Sequence, residues 1–276
     1  MLPSRLYHYT DLAGLTGVVE SGTLWATDIH NLNDITEVSY SREMLGRLGE
    51  TLSADLDPEY AVFVVTQAAA AMATSESTPD MFVASLSDDG DNLSQWRSYA
   101  SLGRGIAIGF DPEDLEKRAR AQGFTLVPIM YETAEQETHL LQALTEAVEI
   151  IRDWGADPPN APTAPEQVLS LGLGLTFAAM FVKSPFFRDE REWRLVRLIV
   201  PGVWDARTMK RKRNGVQVLF EEIELIDRVS GETPIVELVI GPLAGPAQAI
   251  ELREFLDANG LESVSIRRSS VPLRTT

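Results

Sequence analysis

The sequence predicts an α+β domain with a split, mostly antiparallel β-sheet and flanking helices. Helical and strand patterns alternate without the regular strand–helix–strand rhythm of a parallel sheet. Short alternating strands predominate towards the C-terminal end. The composition, 44% hydrophobic and 24% charged, is ordinary for a globular protein. A chain of 276 residues allows one large domain or two small ones. We expect a single domain over residues 1–276, because no composition shift marks a second core.

The first third alternates strands with helices. "RLYHYT" predicts a strand, and Thr10 is the expected cap of a helix through "DLAGLTGVVES" that Gly22 ends. "TLWATD" alternates like a strand. Helical patterns follow over residues 33–52 and about 59–73, with Leu32–Asp34 as a helix cap.

The middle of the chain continues this mixture. "DMFVASLS" predicts a strand, "DNLSQWRSYA" a short helix capped by Asp91 or Asn92, and "GRGIAIGF" another strand. A helix starts at Asp111 or Asp114, "FTLVPIMY" is a strand, and residues 133–154 form a long helix.

The clearest break is "GADPPNAPTAP", which predicts a loop near residues 155–165. An apolar helix then runs from Pro165 to near Lys183. Its uninterrupted apolar run is 15 residues, whereas a membrane span needs about 20. We therefore expect no membrane span. With no cysteine and no signal-peptide pattern, we also expect a cytoplasmic location.

The last third is mostly strands. "REWRLVRLIV", "VQVLFEEIEL" and "PIVELVIGPL" predict three of them, "GPAQAIELREFLDANG" a helix with a Gly stop, and "SVSIRRS" a final strand.

Charge is distributed unevenly. The net charge is −17, which disfavours non-specific nucleic-acid binding over the whole surface. Residues 183–213, however, hold ten Lys or Arg and four Asp or Glu. Their far end, "RTMKRKRNG", predicts an exposed hairpin loop. This loop is either a solvated turn or a contact for an anionic ligand or polymer.

Common motifs for metals, phosphates and nucleophiles do not occur. The three histidines lack metal-ligand spacing, "GLGLT" has no following Lys, and there is neither a GxSxG nor a cysteine. We therefore expect no dedicated metal site.

Glu190 and Glu192, in "FFRDEREWRLVRLIV", are the first candidates for chemistry. On a strand they would project together, about 6.6 Å apart. Arg194 continues the polar face, and Val196, Leu198 and Val200 continue it as apolar. This pattern predicts either a cleft at the mouth of a sheet or an exposed Glu–Arg ladder.

Aromatic residues supply the second set. His8 lies between Tyr7 and Tyr9, and on a strand it faces away from both. It is either a core histidine bonded to a backbone carbonyl or a site residue. Trp96 and Tyr99 share one helix face, where they either pack onto the sheet or contact a ligand.

Three blocks together resemble a known family: "LYHYTDLAGLTGVVESGTLWATDIHNLNDITEVSY", "VASLSDDGDNLSQWRSYASLGRGIAIGF" and "SPFFRDEREWRLV". The family is mostly bacterial and is catalogued as domain of unknown function twenty-nine seventy-one. The resemblance spans roughly residues 5–198. The same layout is more distantly similar to ADP-ribosyltransferases, including their DNA-modifying toxin branch.

The second resemblance implies an ADP-ribosyltransferase-like fold with NAD as the substrate. His8 would hold the adenosine-side ribose or the nicotinamide carboxamide. Tyr99, or alternatively Tyr9, would stack on the nicotinamide. Glu192 would be the second glutamate of the catalytic pair, and Glu190 the first, which orients the acceptor in some branches. "SPFFRD" would be the target-recognition loop. The implied NAD-binding residues are His8, Tyr9, Thr10, Ser85, Ser87, Trp96, Arg97 and Arg104, and Arg5 joins Arg97 and Arg104 as a candidate for the diphosphate.

The implied activity is ADP-ribose transfer from NAD to a macromolecular acceptor, protein or nucleic acid. Bacterial proteins of this type are often toxins or phage-defence effectors, which implies an antitoxin or immunity protein as a partner. The alternatives are an NAD glycohydrolase and a non-catalytic nucleotide-binding or interaction module.

Overall fold

The structure is a computed structural model that describes most of the chain. The described residues are 1–31, 40–41, 43–49, 63, 66, 81–153, 172, 174–199, 207–213, 215–227 and 229–273. The expected cap at Leu32–Asp34, most of the expected helix near 59–73, and the Pro-rich loop at 155–165 lie outside these residues.

A ten-stranded sheet forms the centre of the molecule. Its main path runs β10-β9-β4-β1-β3-β2-β8-β7, and β6 joins β3 to β5. The described pairings are antiparallel except for β9 with β10, so the expectation of a mostly antiparallel sheet is confirmed. The strands are β1 Leu6–Thr10, β2 Thr23–Asp28, β3 Met81–Ser87, β4 Ile106–Phe110, β5 Thr125–Pro128, β6 Glu192–Leu198, β7 Met209–Arg213, β8 Val216–Glu224, β9 Ile235–Ile240 and β10 Ser265–Arg268.

Helices cover both faces of the sheet. The described α-helices are α1 Leu12–Ser21, α2 Leu93–Ser98, α3 Pro112–Ala121, α4 Thr133–Asp153 and α5 Gln248–Ala258. Residues 43–49 and 174–179 are also helical. Within the part of the chain that the structure describes, 3₁₀ turns occupy Ile29–Asn31, Ser101–Gly103 and Pro185–Glu190. Among these described segments, no helix is both long and apolar enough to cross a bilayer.

Local capping explains where the helices begin. The Asp11 carboxylate accepts a hydrogen bond from the Gly14 N–H at 2.7 Å, so Asp11, and not Thr10 as expected, caps α1. Gly22 ends that helix in the left-handed region, at φ 71°. Asn92 and Asp111 cap α2 and α3.

The main core lies on one face of the sheet. Helices α1, α3 and α5 bury Leu15, Leu115 and Leu256 against alternating strand residues such as Phe82 and Ile108. The opposite face carries two smaller clusters, which leave space between them. In one, Trp96 of α2 packs on Tyr7, Tyr9, Ala107 and Val239; in the other, Met180 packs on Met81, Val83, Val127 and Val196.

The sheet splits beside strand β3. One edge of β3 pairs with β6 along its whole length, from Met81 to Ser87. On its other edge, β2 pairs at Phe82 and Val83, and β1 pairs at Ser87. Residues 84–86 therefore lie between two strands that diverge, and this divergence opens a cleft in the sheet.

Two further local predictions are wrong. "RTMKRKRNG" is not a loop, because residues 209–213 form edge strand β7 against β8, and the chain turns at Gly215 with φ 82°. Glu190 does not lie on the strand of Glu192. It ends the 3₁₀ turn, and Arg191, at φ 47°, reorients the chain before β6 begins.

Candidate active site

A cavity of about 170 Å³ lies where β1 and β2 diverge. It receives side chains from β1, β2, β3, the end of α2, the 3₁₀ turn and β6. Its lining residues are Tyr7, His8, Tyr9, Trp25, Thr27, Val83, Ala84, Ser85, Leu86, Gln95, Tyr99, Lys183, Glu190, Glu192 and Arg194. The structure thus brings His8, Tyr99, Glu190 and Glu192 into one cleft.

His8 bridges the split in the sheet. Its Nδ1 lies 3.0 Å from the carbonyl oxygen of Ser85, in the stretch of β3 between its two partner strands. A carbonyl only accepts, so Nδ1 donates, and in the neutral ring Nε2 is the acceptor nitrogen. Burial lowers the pKa of His8, while the bond to Ser85 offsets part of that effect. The ring is therefore neutral near pH 7. His8 bonds to a backbone carbonyl and also lines the cleft.

Glu192 is a buried carboxylate held by two cations. Its Oε1 accepts from Arg194 Nε at 2.7 Å, and its Oε2 accepts from Arg194 Nη2 at 3.0 Å and from Lys183 Nζ at 2.9 Å. All three residues are at most 5% exposed. Burial raises the pKa of Glu192, but Arg194 and then Lys183 outweigh it and hold the pKa at about 2. Glu192 is therefore a permanent anion at neutral pH.

Glu190 also contacts Lys183, although it lies on the 3₁₀ turn and not on the strand face that the alternation predicts. Its Oε2 accepts from Lys183 Nζ at 2.6 Å, and its Oε1 lies 3.5 Å from the Tyr99 hydroxyl. Lys183 therefore joins the two carboxylates, although the chain reverses between them. Tyr99 stands at the end of α2, lines the cavity and is 37% exposed.

Side-chain hydrogen bonds and an ion pair fix the turn that carries Glu190. The Ser87 hydroxyl donates to the Glu190 carbonyl at 2.7 Å, and the Asn92 side chain donates to the Asp189 carbonyl. Arg191 forms an ion pair with Asp88 at 2.6 Å. On the other side of the site, the Tyr131 hydroxyl accepts from the Glu192 N–H at 3.0 Å. Ser87 is thus buried support for the site and does not line the cavity.

Several predicted NAD contacts lie elsewhere. Trp96 is fully buried and donates its Nε1–H to Asp91 at 2.9 Å, so it packs in the core and does not face the cavity. Arg97 lines a separate surface depression, and Arg5 pairs with Asp111 at 3.7 Å. Arg104 is exposed beyond the 3₁₀ turn that follows α2.

The remaining predicted contacts are divided between two cavities. Ser85 and Tyr9 line the cleft, although the Tyr9 hydroxyl is engaged by the Asp89 carbonyl at 2.7 Å and the Asn92 N–H at 3.0 Å. Burial raises the pKa of that hydroxyl. Thr10 lines a neighbouring cavity instead.

Residue patterns missed several members of the site. The cavity is also lined by Lys183, Gln95 and Trp25, which were not predicted as site residues. Their segments have the patterns of a helix end, a short helix and a plain strand. Lys183 follows a 15-residue apolar run, and a lone lysine after such a run was the available signal. Among the described residues, no group of three His, Asp or Glu side chains could hold a metal ion.

Comparison with known proteins supplies one finding. Residues 95–195 match the model of a family described as "Protein of unknown function (DUF2971)". The matched segment begins at Gln95 and ends on β6, so it holds Tyr99, Lys183, Glu190 and Glu192 but not His8. No curated protein and no solved structure matches the chain.

Proposed function

We propose that this protein is an NAD-dependent ADP-ribosyltransferase that acts on a macromolecular acceptor. One observation carries the proposal: an ionised, buried carboxylate, a neutral histidine and a partly exposed tyrosine, from three separate parts of the chain, line one cleft. This set has the chemistry that breaking the nicotinamide–ribose bond requires.

Breaking that bond develops positive charge on the ribose. A fixed anion beside the sugar stabilises this transition state more than the ground state, as carboxylates do in glycosidases. Glu192 remains ionised across the physiological range, with its pKa at about 2. A carboxylate offers about four acceptor positions, and the bonds from Arg194 and Lys183 use three. One position therefore remains for a ribose hydroxyl.

Other cleft residues suit the remaining parts of the substrate. The exposed ring of Tyr99 offers a stacking face to nicotinamide. Neutral His8 offers Nε2 as an acceptor for a ribose hydroxyl or the carboxamide N–H. Phe186, 95% exposed on the turn that carries Glu190, suits the expected role of "SPFFRD" in acceptor recognition.

A second candidate, a nucleotide-binding module without catalysis, is favoured by the ion pairs themselves. Lys183 and Arg194 balance the charges of Glu190 and Glu192, so the floor of the cleft carries no formal net charge. Compensated carboxylates stabilise an adjacent cation less than a free pair would.

Incubation with NAD carrying a label on its adenylate phosphate, together with bacterial lysate, tests the proposal. We expect release of nicotinamide and transfer of the label to a macromolecule. Glu192→Gln should lower the rate by about a hundredfold or more, which is the usual effect of removing one group that stabilises transition-state charge. Glu254→Gln, an exposed glutamate on α5, is the matched control and should leave the rate unchanged.

The other outcomes separate the alternatives. Free ADP-ribose without a labelled macromolecule indicates a glycohydrolase. NAD binding without nicotinamide release indicates the non-catalytic module. A wild-type protein that does not bind NAD contradicts all three functions.

A further inference from the structure

The cleft is small for the substrate proposed for it. Its volume of about 170 Å³ lies below the roughly 300–1,000 Å³ of sites that enclose drug-sized ligands. By this comparison it is too small to enclose a whole dinucleotide. The other half of such a substrate needs a second site within reach of the first.

A second cavity, of about 390 Å³, adjoins the cleft. The two cavities share His8, Trp25 and Thr27, which form the ridge between them. The far wall of the second cavity is α1, where Gly17 has open space in place of a side chain. This volume falls within the range of ligand sites.

Arg211 places a guanidinium on the wall of the second cavity. It belongs to edge strand β7, and its guanidinium lies 4.7 Å from the Trp25 ring centre and 5.7 Å from that of Phe220. Its Nη2 donates to the Thr27 hydroxyl at 3.2 Å. These contacts hold the guanidinium at the cavity wall, so binding an anion there costs little further ordering.

We propose that the second cavity is a nucleoside-phosphate subsite. Arg211 binds a phosphate, since a guanidinium pairs well with phosphate oxygens, and the base lies between α1 and Trp25. In the proposed reaction this ligand is the ADP half of NAD, which crosses the ridge at His8. That identification rests on the proposed function, whereas binding of a nucleoside diphosphate alone does not.

The proposed subsite assigns diphosphate binding to a different arginine from those that the sequence favours. The sequence favours Arg5, Arg97 and Arg104, and none of these lines either cavity. Arg211 lies in the segment predicted to be an exposed hairpin loop, either a solvated turn or a contact for an anionic ligand or polymer. Its position at the cavity wall follows from the pairing of β7 with β8, which the sequence did not predict.

Equilibrium binding of ADP to the full chain, measured by titration calorimetry, tests the subsite. We expect saturable binding to the wild type and a loss of about tenfold or more in affinity for Arg211→Gln, the usual effect of removing a charged hydrogen bond. Lys212→Gln removes the same charge from the exposed neighbouring position and is the matched control. It should change the affinity less than threefold or so.

Gly17→Leu keeps the test decisive if Arg211→Gln does not fold. A Cβ at Gly17 meets no atom within 4 Å, and Gly17 lines the cavity, so a leucine side chain there occupies cavity space. We therefore expect a folded protein that no longer binds ADP. Gly46→Leu, at a helical glycine with equal space, is its control and should bind normally. Absence of ADP binding to the wild type, or equal binding by Arg211→Gln and Lys212→Gln, overturns the subsite. ADP binding that depends on Arg211 in a protein that does not cleave NAD would keep the subsite and reject the transferase.

Discussion

At the scale of single residues, Glu192 is a buried carboxylate whose charge depends on two neighbouring cations. Taking a carboxylate out of water is costly, and here Arg194 and Lys183 more than compensate for that cost. Because the carboxylate is bonded on both oxygens, its charge is fixed in position as well as in sign. A buried ion of this kind makes the stability of the protein depend on pH in a predictable direction.

The pKa of Glu192 is lowered from 4.5 to about 2 in the folded protein. Below pH 4.5 the unfolded chain therefore binds a proton that the folded chain does not, so the stabilisation from Glu192 is complete above pH 4.5 and is lost as the pH falls towards 2. We expect about 2 kcal/mol of this contribution to be lost by pH 3. Urea unfolding at pH 7, 5, 4 and 3 measures it.

In that series, Glu192→Gln should be less stable than the wild type at pH 7, and the difference should shrink below pH 4.5. The exposed substitution Glu254→Gln provides the baseline, since its difference from the wild type should stay small throughout. A Glu192→Gln difference that stays constant from pH 7 to pH 3 would show that Glu192 is not an ionised member of a buried cluster.

At the scale of elements, the site depends on how α2 and the 3₁₀ turn at Pro185–Glu190 meet. Asn92 serves both. Its side-chain oxygen accepts from the N–H groups of Ser94 and Gln95, and its amide donates to the Asp189 carbonyl. The cap that starts α2 therefore also positions the turn that carries Glu190, and α2 ends at Tyr99 on the cleft.

Asn92→Ala should destabilise the protein by about 1 kcal/mol through loss of the cap and should also weaken NAD binding. The matched control is Asp111→Ala, which removes the cap of α3, away from the cleft. It should cost about the same stability and leave binding unchanged. Urea unfolding and calorimetric titration with NAD measure the two effects, and equal binding by both variants would contradict the double role of Asn92.

At the scale of the whole molecule, the site lysine is bonded to a helix that packs in a hydrophobic cluster separate from the main core. The main core packs α1, α3 and α5 on the sheet. A second cluster joins α4 to the apolar segment before Lys183 through residues such as Leu144, Val148 and Leu175. Gln136 of α4 donates to the Lys183 carbonyl at 2.7 Å, so the second cluster is bonded directly to the backbone of the site lysine.

We expect the two regions to unfold together, as the single-domain prediction requires. Leu144→Ala, at a fully buried position in the second cluster, should lower the free energy of unfolding by about 2–5 kcal/mol. Far-ultraviolet circular dichroism and tryptophan fluorescence should report one coincident transition in both proteins. Two separated transitions would instead show that the α4 cluster is an independent folding unit.

Local rules explain which parts of the fold the sequence predicted. Strands such as "LYHYT" and "TLWATD" and the helices started by Asn92 and Asp111 depend on alternation and capping, which neighbouring residues decide. The failures have a physical reason too. A strand pattern could not reveal that Arg191 adopts φ 47° and removes Glu190 from β6, because the surrounding contacts of the turn hold that conformation.

The sequence by itself determined the α+β class and the mostly antiparallel sheet, because both depend on short-range pattern. It singled out Glu190 and Glu192 by residue type, but the shared strand face that it predicted for them is wrong. Only the tertiary structure decided that Lys183 links these carboxylates, that Trp96 belongs to the core, and that Arg211 faces a cavity. Those facts depend on strand pairing and packing between residues far apart in the chain, and the divergence of β1 and β2 along β3 opens the cleft between them.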